Sequence, residues 1–148
     1  MKRPNCRKLQ LALANDLKLL PMARAFVAAG CRAAGLDSKA TEAVVLATHE
    51  AASNVLRHAY RHLPDAKLQL ECRLAEDRIE IILLDEAKPF DIALIPRLDP
   101  SALRIGGRGI FLMRSLMDEV RCDQRSQGNR LRMTKYIRPV APIAKKCA

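Results

Sequence analysis

The chain has 148 residues, 49% of them hydrophobic and 28% charged, with a formal net charge of +10. A single domain of this length buries roughly two-thirds of its unfolded surface, and no apolar run approaches the roughly 20 residues of a membrane span. Aromatic residues amount to 3%, with no Trp, so stacking platforms for single-stranded nucleic acid are missing. The basic residues are spread along the whole chain. That charge suits an acidic protein partner or an anionic ligand such as a nucleotide, and direct nucleic-acid binding is not expected. Cys6, Cys31, Cys72, Cys122 and Cys147 show no C-x-x-C spacing, which points to reduced thiols and not to a zinc site or a disulfide framework. The opening residues, Met-Lys-Arg-Pro-Asn-Cys, contain no apolar signal core, so the expected setting is the cytoplasm, without membrane contact.

Residues 7–13 alternate polar and apolar, the period of a half-buried strand. Asn15 or Asp16 offers a cap, and residues 19–34 carry apolar positions at helical spacing with Pro21 in the first turn and Gly35 at the end. Asp37 or Ser38 caps a second helix that runs to about His58. Leu63-Pro64-Asp65 is a turn. Residues 66–74 and 78–85 read as two strands whose short connection predicts an antiparallel hairpin. Residues 86–108 hold Pro89, Pro96, Pro100, Gly106 and Gly107 with little periodicity, the pattern of a lid or binding loop. A short helix is expected over 109–117, then strands over 118–123 and 131–137 joined by a turn at Gly128-Asn129. This order predicts an α+β two-layer sandwich: one mixed or antiparallel sheet with helices on one face. The domain is expected to fill residues 1–138, with 139–148 a basic tail.

Three features in this order carry chemistry. Glu50 and Asn54 are four apart, so on a helix both point one way, from a face that is otherwise small and apolar. Asp85 ends a very apolar strand, where a carboxylate either caps the next loop or accepts from a ligand amino group. Gly106-Gly107-Arg108-Gly109 opens a helix, and free N–H groups at a helix start, approached through glycines, can cradle phosphate. The cluster lacks the Lys-Ser/Thr of a P-loop and follows a loop, not a strand.

Taken together, four stretches resemble the histidine-kinase-like ATP-binding fold and, within it, the stand-alone anti-sigma-factor serine kinases. They are His-Glu-Ala-Ala-Ser-Asn-Val-Leu-Arg-His-Ala-Tyr (49–60), Leu-Leu-Asp-Glu-Ala-Lys-Pro-Phe-Asp (83–91), Gly-Gly-Arg-Gly-Ile-Phe-Leu-Met-Arg-Ser-Leu-Met-Asp-Glu-Val (106–120) and Gly-Asn-Arg-Leu-Arg-Met-Thr-Lys (128–135). The resemblance spans about residues 7–137. It implies that Asn54 coordinates Mg²⁺, which bridges the phosphates of ATP. Glu50 would be the base toward the incoming hydroxyl, and Asp85 would accept from the adenine amino group. Gly107, Arg108, Gly109 and Ile110 would line the nucleotide from the helix start, and residues 86–108 would be the lid. The family pattern has Gly two residues after the Asp, where this chain has Ala87; Ala fits beside the base if its φ is negative. His58, two turns on from Glu50, is expected to pack or cap and not to react.

The resemblance further implies an ATP-dependent serine/threonine kinase that acts as an anti-sigma factor. Its partners would be a sigma factor and an anti-sigma-factor antagonist, the latter its substrate, and homodimers are common in the family. The alternative is a regulator of the same fold that binds partners without catalysis, with or without nucleotide.

Overall fold

The computed structural model describes residues 5–89 and 108–138. The elements follow the expected order: β1 (Arg7–Ala14), α1 (Leu20–Ala34), α2 (Ser38–Asn54), β2 (Lys67–Leu74), β3 (Arg78–Leu84), α3 (Arg108–Leu116), β4 (Glu119–Gln124) and β5 (Asn129–Tyr136). The expected tail over 139–148 and most of the expected lid, residues 90–107, lie outside the described residues.

Local chemistry explains the helix ends. Asp16 caps a 3-10 turn, Leu17–Leu19, by accepting from Lys18 N–H at 2.9 Å. The chain then enters α1 with Pro in the first turn, where its missing N–H costs nothing. Gly35 closes α1 at φ 87°, and its N–H donates to Arg32 O; a left-handed residue at this position is the usual glycine stop. Of the two candidate caps for α2, Asp37 is the one used, accepting from Ala40 N–H at 2.7 Å.

The five strands form one sheet in the order β1-β2-β3-β5-β4, every neighbouring pair antiparallel. Of the expected mixed or antiparallel sheet, the antiparallel form is realised. The register lines up Leu11, Leu70, Leu83, Leu131 and Cys122 in one row across all five strands. One residue away, Gln10, Glu71, Ile82, Arg132 and Arg121 form the neighbouring row. Successive side chains on a strand face opposite ways, so the leucine row faces the helices and the second row faces outward. Val27 and Cys31 of α1, Val44 and Ala47 of α2, and Leu70 and Ile81 of the sheet are all fully buried in the core between the layers. Each large aliphatic side chain buried this way contributes about 1.5–3 kcal/mol.

One boundary departs from expectation. The second helix was expected to run as a regular helix to about His58, but α2 ends at Asn54 and Val55–Ala59 form a π-helical turn. Tyr60 N–H closes it by donating to Val55 O at 2.8 Å. The extra residue in this turn carries Tyr60 inward, where it is 1% exposed. No helix among the described residues is long and apolar enough to cross a membrane.

Candidate active site

Glu50 and Asn54 sit on successive turns of α2, both half-buried. Neither makes a side-chain hydrogen bond to the described residues, and both line a cavity of about 560 Å³. Asp85, Ala87 and Lys88, just beyond β3, form another wall; Gly109, Ile110 and Met113 of α3 form a third. Leu83, Cys122 and Leu131 of the inner sheet row also line it, with Asn129 and the π-turn residues His58 and Ala59. The mixture of an apolar interior and a few convergent polar groups is that of a small-molecule site.

Gly109 is what lets α3 lie against the carboxylate–carboxamide pair. A Cβ at this position would stand 2.7 Å from Asn54 Nδ2 and 3.5 Å from Glu50 Oε2. The start of α3 therefore comes to the pair as bare main chain, the approach that phosphate binding at a helix start uses.

Asp85 is 4% exposed, and its carboxylate is held from one side. Ala87 N–H donates to Oδ1 at 2.9 Å, and Asn129 donates to the same oxygen from its main-chain N and from Nδ2, both at 3.1 Å. Oδ2 takes none of these donors, on a residue that lines the cavity. Asn129 Nδ2 also donates to Lys88 O at 3.1 Å, so the same carboxamide steadies the chain beyond Ala87. The capping role considered for Asp85 is real, through Ala87 N–H, and it is served by one oxygen only.

Ala87 stands where the family pattern has Gly. No non-glycine residue among those described has a positive φ, so Ala87 adopts its conformation without strain.

Six of the eight candidate residues thus meet at one cavity: Glu50, Asn54, Asp85, Ala87, Gly109 and Ile110. Arg108 begins α3, and Gly107 lies outside the described residues. His58, in the π turn, also lines this cavity. Two residues that brace the walls of the cavity escaped the sequence reading. Asn129 appeared there only as half of a Gly-Asn turn signal. Tyr60 appeared only as the last residue of a motif, yet its hydroxyl donates to Lys67 O at 2.7 Å and accepts from Glu86 N–H at 2.8 Å. Burial pushes the Tyr60 hydroxyl up to about 12, helped by the Asp85 and Glu86 carboxylates and opposed by the Glu86 N–H bond.

The donor set suits a hard cation. Asn54 and Glu50 offer oxygen ligands, and the described residues contain no group of three or more His, Cys, Asp or Glu able to hold a metal alone. A cation at Asn54 would take its other ligands from phosphate and water, as Mg²⁺ characteristically does.

Comparison with known proteins agrees with this geometry. The profile of the histidine kinase-like ATPase domain matches residues 13–135, and the chain belongs to that family. Serine-protein kinase RsbW of Listeria innocua is 32% identical over 112 residues, covering 70% of this chain and 71% of that protein. RsbW of Bacillus subtilis is 35% identical over 104 residues, 65% of this chain and 64% of that protein. The chain stands in the serine-protein kinase branch of the family. Among solved structures, the RsbU and RsbW domains of Rv1364c from Mycobacterium tuberculosis match with a TM-score of 0.67 over 90% of this chain and 34% of that one, at 17% identity. At that identity the likeness speaks for the fold.

Proposed function

We propose that this chain uses Mg-ATP to phosphorylate a serine or threonine on a small anti-sigma-factor antagonist, and that it sequesters a sigma factor. The observation that supports this reading best is that Glu50 and Asn54 of α2 and Asp85 just beyond β3 line one cavity, with the bare main chain of Gly109 against the first two.

In this reading Mg-ATP supplies the phosphoryl group and the cation that neutralises its charge. Asn54 holds the metal through its carboxamide oxygen. Asp85 accepts a hydrogen bond from the adenine amino group with Oδ2, while Oδ1 stays engaged with Asn129 and Ala87. Gly107 and the first turn of α3, Arg108 to Ile110, receive phosphate oxygens, with Arg108 adding charge. Glu50 takes the proton of the acceptor hydroxyl at its carboxylate. The setting is the cytoplasm. Direct contact with nucleic acid or membrane has no part in it.

The resemblance supports the partners; the cavity supports the chemistry. Ala87, where the family pattern has Gly, has no positive φ to strain it, which supports a base-binding loop that tolerates the alanine. The test is label transfer from γ-labelled ATP to the cognate antagonist. Glu50→Gln is expected to slow transfer by about 10²–10⁴-fold while Mg-ADP still binds. Nucleotide binding without any transfer by the unaltered protein sinks the kinase and leaves the non-catalytic regulator.

A further inference from the structure

Tyr60 is fully buried and belongs to no step above. A phenylalanine would fill the same core space. A buried hydroxyl costs free energy unless it is paired, and this one is paired twice, with main-chain groups on both sides of the base-recognition end of the cavity. The β2–β3 register pairs Gln69 with Leu84; continued by two residues, it would set Lys67 opposite Glu86. The ladder stops instead. The Tyr60 hydroxyl stands between these two residues, donating to Lys67 O and accepting from Glu86 N–H. Glu86 compensates Lys67 by accepting its N–H at Oε2, 3.3 Å away. Released from β2, the chain at Asp85 closes on β5: Asp85 N–H donates to Asn129 O at 3.1 Å, and Oδ1 receives the Asn129 donors.

Tyr60 is itself fixed from behind. Asn15, just after β1, donates from Nδ2 to both Tyr60 O and Leu63 O at 3.0 Å. A path of hydrogen bonds therefore leads from the end of β1, through the turn that follows Glu50 and Asn54, to the residue next to Asp85. It joins the wall that carries the acid and amide to the wall that reads the base.

We propose that Tyr60 is a positioning residue for base selectivity: its hydroxyl wedges β2 from β3 and so presets Asp85 to accept an amino group. The inference rests on the nucleotide reading above and assigns the origin of its base selectivity. The role is positional, because Tyr60 does not line the cavity. It also calls for a hydroxyl that stays protonated across the working pH range, as the upward shift to about 12 ensures.

The test is equilibrium binding of Mg-ADP and of Mg-IDP, which carries an oxo group where adenine has its amino group, to the unaltered protein and to Tyr60→Phe. The unaltered protein is expected to prefer ADP. Tyr60→Phe should weaken ADP about tenfold, the worth of about one well-placed hydrogen bond, and leave IDP within about twofold, so that the preference collapses. A merely structural tyrosine would lower the Tm of the ligand-free protein and leave the ADP/IDP ratio unchanged, which overturns the proposal. If the unaltered protein binds neither nucleotide, the nucleotide reading itself has failed. Hydrogen exchange of the unaltered protein provides a second readout that does not depend on the variant folding. The Glu86 amide should be protected before nucleotide is added; protection that appears only with ADP overturns the preset geometry.

Discussion

Asn129 and Asp85 are joined by three hydrogen bonds although 44 residues separate them: Asp85 N–H to Asn129 O, and Asn129 N–H and Nδ2 to Asp85 Oδ1, each 3.1 Å long. Two are main-chain in origin and survive substitution; the third is the carboxamide's own. Asn129→Ala removes it and also strips Lys88 O of its donor. We expect a loss of about 1–3 kcal/mol in urea unfolding, the usual cost of leaving buried groups unpaired, and an affinity for Mg-ADP about tenfold weaker in titration calorimetry.

Gly109→Ala places a methyl 2.7 Å from Asn54 Nδ2, the end of a movable side chain. The helix gains up to about 1 kcal/mol from Ala, so the Tm of the ligand-free protein should hold or rise. Asn54 must turn away from the cavity, and the thermal shift caused by Mg-ADP should fall toward zero. Removing metal with EDTA from the unaltered protein should have the same effect on that shift.

Gly128→Ala is expected to behave in the opposite way. Gly128 sits at φ +96°, and a Cβ there would lie 1.7 Å from Asp85 O and 2.6 Å from Asp85 C. The obstacle is main chain and cannot rotate aside. We expect destabilisation of about 4 kcal/mol or more, read as a large drop in the urea midpoint with or without nucleotide.

On the outer sheet face, Glu71 is 5% exposed. It accepts from Arg73 Nε, from Gln10 Nε2 at 3.1 Å and from Lys8 Nζ at 3.0 Å. Burial works against its charged form, yet the Arg73, Lys8 and Gln10 hydrogen bonds together outweigh it and hold the carboxyl below its ordinary 4.5. A folded pKa below the unfolded one stabilises above the unfolded value and is lost as pH falls through the folded one. Glu71→Gln should therefore be less stable than the unaltered protein at pH 7. The difference should stay constant down to about pH 4.5 and shrink below it. A difference that grows on acidification contradicts the assignment.

The strands and helices were legible because each rests on a period of 2 or 3.6 that a short window contains. Glu50 and Asn54 were legible for the same reason: four residues apart on a helix is already one side of one site. The caps at Asp16 and Asp37 and the stop at Gly35 are equally local. The π turn at Val55–Ala59 was not, because it follows from where Tyr60 must go, and that depends on Lys67 and Glu86.

By itself the sequence determined the order of elements, the two faces of the sheet and the candidates Glu50, Asn54, Asp85 and Gly109 that meet at one cavity. Only the tertiary structure decided that β5 lies between β3 and β4. That placement brings Asn129 to Asp85 and makes one oxygen of the carboxylate structural while the other is left to the cavity. Local periodicity carries no information about which strand pairs with which. Pairing is settled by burying the row from Leu11 to Cys122 on one face, because a slip of one residue would turn that row to solvent.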